Sequence, residues 1–133
     1  MKTVIFACVH NAGRSQMAAG WFNALADPTK ARAISAGTNP GPRVHPEVEV
    51  AMQEIGIDLS KAHPQLLTAQ LAAGAYLLVT MGCGEACPYV PGLTRDDWPL
   101  EDPSNQPPEK VRQIRDAIHT RVLDLLENEG WER

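Results

Sequence analysis

TVIFACVHNAGRS, residues 3–15 of the chain, joins a buried strand to a helix through a short loop. Thr3–Ala7 is a continuous apolar run rich in β-favouring residues, which predicts a strand covered on both faces. Gly13–Ala26 follows with apolar residues at helical spacing, and Asp27-Pro28 predicts its end. A strand, a helix and a second short strand fit into about 35 residues, the size of one βαβ unit.

The rest of the chain continues this alternation. We predict further strands at Ala31–Ala36, Tyr76–Thr80 and Asp97–Leu100, and helices at Pro46–Ile55, Leu66–Ala73 and Glu109–Asn128. The pattern predicts an α/β fold with a four-stranded parallel sheet and helices on both faces. The 133 residues are enough for one domain, so we expect residues 1–133 to form a single domain.

Three loops should meet at the carboxyl edge of this sheet, where ligands of such folds bind. They are Cys8–Arg14, Met81–Gly92 and Glu101–Pro103, and they contain all three cysteines of the chain. Chemistry based on thiols is therefore expected at this edge.

The composition excludes several classes of partner. Net charge is −4, which gives no electrostatic reason to expect binding to nucleic acid or to an anionic membrane. No apolar run approaches the ~20 residues that span a bilayer, and the short apolar start is not a signal peptide. We expect a cytoplasmic monomer, in which a reducing environment disfavours permanent disulfides. Nothing in the pattern indicates a cofactor.

The loop after the first strand has the features of an oxyanion site. Small residues allow successive N–H groups to point inward at the start of a helix, where they hold an anion. Arg14 adds a planar fork, and the same field favours the thiolate form of Cys8 as nucleophile. Ser15 can donate its hydroxyl to that sulfur. The predicted oxyanion-binding residues are Val9, His10, Asn11, Ala12, Gly13 and Arg14, with His10 and Asn11 serving mainly to shape the loop. The alternative is that Cys8 only ends a buried strand.

Asp102-Pro103 is the second candidate element. A carboxyl group on a loop near the anion can donate a proton to a leaving oxygen, and the proline restricts Asp102 to extended conformations. Taken alone, the dipeptide is also a common turn starter, and Asp97 and Glu101 compete for the catalytic role.

Cys83 and Cys87 form the third element. Four residues correspond to about one helical turn, which would place the two Cα atoms ~6 Å apart, within the range of a disulfide. This spacing indicates a thiol pair that can form and break a bond. A zinc site is one alternative, although the usual two-residue gap is missing. Two incidental cysteines are the other.

These motifs together resemble the arsenate reductase branch of the low-molecular-weight tyrosine phosphatase superfamily. The likeness covers essentially the whole chain and rests on Cys8–Ala18, Ser35–Gly37, Met81–Pro88 and Asp97–Pro103. It implies that Cys8 attacks arsenate, that Cys83 then attacks Cys8, and that Cys87 resolves the disulfide. It also implies regeneration by thioredoxin or another thiol reductant, with Arg14, Ser15 and Asp102 supporting catalysis at Cys8.

Two departures and two rival functions accompany this resemblance. Some thioredoxin-coupled relatives hold potassium through an acidic residue where this chain has Ala19, so we predict no metal site. The gap between Cys83 and Cys87 is also short for this group, which leaves two alternatives: Cys87 resolves the disulfide internally, or an external thiol attacks first. A tyrosine phosphatase would use Cys8, Arg14 and Asp102, but would carry aromatic residues after the Asp-Pro pair. A redox sensor that binds anions is the non-enzymatic alternative.

Overall fold

The computed structural model describes residues 1–82 and 92–133, which contain a four-stranded parallel sheet in the order β2-β1-β3-β4. The strands are β1 (Lys2–Cys8), β2 (Ala31–Gly37), β3 (Leu77–Thr80) and β4 (Thr94–Asp97). Cys8 pairs with Gly37 at the end of β1, and Ala7 pairs with Thr80 of β3. The carboxyl ends of the strands therefore meet at one edge, as the sequence predicts.

Four helices pack against this sheet. They are α1 (Arg14–Leu25), α2 (Pro46–Gln53), α3 (Ala69–Ala73) and α4 (Pro108–Glu129). One apolar cluster joins residues of α1, α2 and α4 to Val4 and Phe6 of β1. A second cluster joins Ala72 of α3 to Ile5 and Ala7 on the opposite face. The prediction of helices on both faces of a parallel sheet is thus confirmed.

The central strand shows why the sequence folds in this way. Val4, Ile5, Phe6 and Ala7 are all 0% exposed, because alternate side chains enter the two apolar clusters. Burying apolar side chains on both sides fixes β1 in the middle of the sheet. Cys8, the last residue of β1, directly follows this buried segment and pairs with Gly37 of β2.

Two predicted elements begin three residues away from the observed ones, whereas the bounds of the other elements agree more closely. The helix predicted at Leu66–Ala73 begins only at Ala69, because the Thr68 hydroxyl accepts the N–H of Leu71 as an N-cap and Leu66 bridges to Gly37. The strand predicted at Asp97–Leu100 lies earlier, at Thr94–Asp97. All four residues of that edge strand are exposed, so no apolar pattern marks it.

The helices in the described parts of the chain are too short or too polar to cross a lipid bilayer.

Candidate active site

Cys8 lies at the carboxyl end of β1 and is only 3% exposed. Its Sγ atom is 2.9 Å from the Oγ atom of Ser15, in the first turn of α1. The same Oγ accepts a hydrogen bond of 2.7 Å from Nδ2 of Asn11. The amide uses a lone pair of the Ser15 hydroxyl, which leaves its hydrogen free to donate. Because a thiolate carries no hydrogen, Ser15 is the donor whenever Cys8 is ionised.

The carbonyl groups of the loop Cys8–Arg14, which we call the oxyanion loop, are held from outside. Four of them accept backbone N–H groups from residues 38–45, the connection between β2 and α2. The pairs are Cys8 with Thr38 (3.2 Å), Val9 with Asn39 (2.8 Å), His10 with Gly41 (2.9 Å) and Ala12 with His45 (2.9 Å). This connection therefore fixes the backbone of the loop.

The N–H groups of the oxyanion loop differ from its carbonyl groups. In the described ranges 1–82 and 92–133, no backbone N–H of residues 9–15 donates a hydrogen bond to another protein group. Gly13 is the N-cap of α1, and no side chain caps this helix end. A set of free donors at a helix N-terminus is an anion-binding arrangement.

Asn11 has the unusual backbone conformation in this loop, with φ of 52°. Its side-chain Oδ1 accepts the backbone N–H of Gln65 at 2.9 Å, and its carbonyl accepts Nε2 of Gln16 at 3.0 Å. Asn11 itself is fully buried. Asparagine adopts left-handed backbone more readily than most residues with a side chain, and these contacts hold it in place.

Arg14 lies beside the loop with its side chain 12% exposed. Its Nη1 donates to the carbonyl oxygen of Leu100 at 3.0 Å, and its Nη2 lies 3.9 Å from Oδ2 of Asp102. A Cβ atom added to Gly82 would collide with Nη1 of Arg14 and lie 3.2 Å from its Cζ. The guanidinium thus lies between two segments of the chain, at Gly82 and at Leu100–Asp102, and it has further N–H groups that can bind an anion.

Asp102 is the acidic residue that the fold brings to Arg14. Its side chain is 50% exposed, and Oδ1 accepts the N–H of Ser104 at 2.9 Å. The two competing acids are engaged elsewhere, because Glu101 pairs with Lys110 at 3.1 Å and Asp97 accepts the Thr80 hydroxyl at 2.8 Å.

Pro103 packs directly on the oxyanion loop. A Cβ atom added to Gly13 would lie 2.9 Å from Cγ of Pro103. The absence of a side chain at Gly13 therefore allows the Asp-Pro segment to approach the start of α1.

The structure brings Cys8, the oxyanion loop, Ser15 and Asp102 together at one edge of the sheet. His10 is exposed, with Nδ1 3.0 Å from the carbonyl oxygen of Asn39. Cys83 and Cys87 lie outside the described residues. Residues 1–82 and 92–133 contain no cluster of three or more metal-ligating side chains.

Sequence reasoning missed the groups that support the loop. The connection at 38–45 acts through its backbone, so its residue types carry no signal. Gln16 and Gln65 bond to Asn11, and only Gln16 carries a hint, as a polar residue beside Met17 in a helix that is otherwise rich in buried apolar residues.

Comparison with known proteins identifies the family. The family described as "Low molecular weight phosphotyrosine protein phosphatase" matches residues 3–130. A protein of Halobacterium salinarum, provisionally named an arsenate reductase, is 37% identical over 130 residues, covering 92% of this chain and 89% of its own. An arsenate reductase of Staphylococcus aureus strain Newman is 34% identical over 126 residues, covering 91% and 93% of the two chains.

Solved structures give the same result. The chain is similar to a thioredoxin-dependent arsenate reductase of Corynebacterium glutamicum, with a TM-score of 0.84 and 35% identity over 96% of this chain. The match spans 61% of the length of that protein.

Proposed function

The chain belongs to the low molecular weight phosphotyrosine protein phosphatase family, and from that premise we propose that it reduces arsenate to arsenite. The observation that carries the proposal is a buried thiol, Cys8, with its Sγ 2.9 Å from Ser15 Oγ, at a helix start where the N–H groups of residues 9–15 donate to no protein group of the described chain. Such a site binds a tetrahedral oxyanion and presents a nucleophilic sulfur to its central atom.

The first step is attack on bound arsenate. The N–H groups of residues 9–15 and the guanidinium of Arg14 neutralise the oxygens, and Ser15 stabilises the Cys8 thiolate. A bond forms between Cys8 Sγ and arsenic(V). One arsenate oxygen leaves as water after Asp102 supplies a proton.

The second step transfers two electrons. The Cys83 thiolate attacks Cys8 Sγ, the sulfur–arsenic bond breaks, and its electron pair stays on arsenic, which departs as arsenite. A Cys8–Cys83 disulfide remains. Cys87 then attacks Cys83, so that Cys8 is released as a thiol and Cys83–Cys87 carries the oxidation.

A thiol reductant must then supply two electrons to reduce the Cys83–Cys87 disulfide and restore the two thiols. We propose a thioredoxin-type partner, and the support is the likeness to a thioredoxin-dependent arsenate reductase. The alternative donor is a low-molecular-weight thiol.

Phosphate ester hydrolysis is the second candidate function. It is favoured by the position of Asp102, whose Oδ2 lies 3.9 Å from Nη2 of Arg14, because a phosphatase needs the same acid beside the same anion site. The Asp-Pro pair is followed by three polar residues, Ser104, Asn105 and Gln106. That stretch therefore offers no aromatic side chain to pack against a phosphotyrosine ring. We therefore expect only slow hydrolysis of small aryl phosphates.

The decisive assay is arsenate-dependent oxidation of a coupled reductant. Wild type should turn over many times, and Cys8→Ser should not turn over at all. Cys83→Ser should lose arsenate reduction and keep any aryl phosphatase activity, which separates the two functions. A redox sensor would instead show stoichiometric oxidation without turnover. Full turnover by Cys83→Ser with thioredoxin would contradict the proposed relay.

A further inference from the structure

Gln16 occupies a special place beside the oxyanion loop. Four loop carbonyls are held by backbone N–H groups from residues 38–45, and the carbonyl of Gly13 is held by the N–H of Met17. The carbonyl of Asn11 is the exception, because its partner is a side chain, Nε2 of Gln16, at 3.0 Å. Gln16 is 4% exposed, so water does not readily replace this hydrogen bond.

This hydrogen bond determines which way the next peptide group points. A trans peptide directs its C=O and N–H to opposite sides. Since the carbonyl of Asn11 points to Gln16, the N–H of Ala12 points away from it, and it has no acceptor in the described part of the chain. Rotation of this one peptide plane would replace a donor in the anion site with a carbonyl oxygen.

Rotation of the Asn11–Ala12 peptide would change ψ of Asn11 and φ of Ala12, while φ of Asn11 would stay in the left-handed region at 52°. The side chain of Asn11 is held by hydrogen bonds with Ser15 and Gln65, which fix the residue itself. The hydrogen bond from Gln16 to the Asn11 carbonyl acts directly on the peptide that would rotate, and it therefore opposes the rotation.

We propose that Gln16 is a positioning residue that keeps the Asn11–Ala12 peptide oriented for anion binding. Its amide does not reach the anion, and it acts by preorganising the Ala12 donor. This inference rests on the proposed function only in so far as both require an oxyanion at Cys8. It applies equally to arsenate and to phosphate.

Protection of Cys8 by inorganic phosphate tests the inference without any turnover. Iodoacetamide labelling of the Cys8 peptide, followed by mass spectrometry, gives the phosphate concentration for half-protection. Gln16→Met preserves length and removes the donor, so it should raise that concentration about three- to tenfold, the value of one lost hydrogen bond. Asn23→Ala is the matched control, because Asn23 also lies on α1 and bonds to Ala33 of β2, away from the loop.

Gln16→Glu adds a readout that loss of packing would not give. An ionised carboxylate faces the Asn11 carbonyl without a hydrogen to donate, whereas the protonated acid can donate one. Relative to wild type at each pH, phosphate affinity should therefore be lowest near pH 8 and recover as the pH falls toward 5.5.

The outcomes separate the two proposals. Protection of Gln16→Met at the wild-type phosphate concentration, or no protection of wild type at any concentration, would overturn the role of Gln16. Another outcome is that phosphate protects wild type, and protects Gln16→Met less well, while wild type fails to reduce arsenate. In that case the role of Gln16 stands and the proposed function fails. Thermal unfolding of each variant confirms that the comparison is made on folded protein.

Discussion

The Oγ atom of Ser15 lies 2.9 Å from the Sγ atom of Cys8, and both side chains are buried. Asn11 donates to the same oxygen, so the serine hydrogen can point at the sulfur. Hydrogen bonds to a charged acceptor are stronger than neutral ones, and a buried thiolate depends on such a donor. Ser15 therefore links the shape of the oxyanion loop to the reactivity of its nucleophile.

Ser15→Ala should slow reaction of Cys8 with iodoacetamide at pH 7 by about tenfold or more, because a hydrogen bond to a charge is worth about 1.5–3 kcal/mol. The measurement is the labelling rate of the Cys8 peptide as a function of pH. Ser35→Ala is a suitable control, since Ser35 is a buried serine of β2 with no side-chain bond to Cys8 in the described chain. Equal rates for wild type and Ser15→Ala would contradict this role.

Gly13→Ala should separate the acid from the anion site. The new Cβ would lie 2.9 Å from Cγ of Pro103 and would push the Asp-Pro segment outward. We expect kcat for arsenate reduction to fall about tenfold or more, with a smaller change in phosphate affinity, because a displaced proton donor loses part of its 10²–10⁴-fold contribution. Gly74→Ala is the control, since nothing lies within 4 Å of its added Cβ. Unchanged kcat in Gly13→Ala would argue against Asp102 as the acid.

Gly82→Ala should weaken anion binding through Arg14. The added Cβ would collide with Nη1 of Arg14, at a residue whose φ is +99°. Gly92→Ala is the matched control, because its φ is +82° but nothing lies within 4 Å of its Cβ. Both variants should lose about 1 kcal/mol of stability from left-handed backbone. Only Gly82→Ala should raise the phosphate concentration for half-protection of Cys8, and equal affinities in the two variants would contradict the contact.

The acid side of the stability profile should depend on Glu54. Hydrogen bonds from Arg112, reinforced by Arg115, hold the pKa of this carboxyl below its ordinary value of 4.5. A lowered pKa in the folded state adds stability above pH 4.5 that is lost as the pH falls through the folded-state pKa. Glu54→Gln should therefore reduce Tm at pH 7 and flatten its fall below pH 4.5. Glu127→Gln, which removes no ion pair of the described chain, should leave the profile as in wild type.

How far the sequence predicts this structure depends on what each residue contacts. The run Val4–Ala7 predicts a central strand because burial on both faces requires apolar side chains. Thr94–Asp97 pairs with β3, but its four side chains are exposed and form no apolar pattern, so the edge strand is predicted too late in the chain. The predicted strand instead includes Trp98, an apolar residue beyond the end of β4 whose ring centroid lies 5.4 Å from that of Phe6.

The candidate site divides in the same way. Cys8 and Arg14 can be predicted as site residues from residue type and spacing, because the chemistry proposed for them belongs to their side chains. The choice of Asp102 as the proposed acid depends on tertiary contacts, because Asp102 lies beside Arg14 whereas its neighbour Glu101 pairs with Lys110. The role proposed for Gln16 could not be predicted from the sequence, because it depends on the direction of one backbone carbonyl group, that of Asn11.

The most direct test of the three-thiol relay is mass mapping of disulfides after one arsenate turnover without reductant. Wild type should show a Cys83–Cys87 disulfide with Cys8 as a free thiol, and Cys87→Ser should accumulate a Cys8–Cys83 disulfide. Inorganic phosphate in place of arsenate should produce neither bond. All three cysteines remaining reduced after exposure to arsenate, or a Cys83–Cys87 disulfide forming in Cys8→Ser in response to arsenate, would contradict the proposed reduction at Cys8.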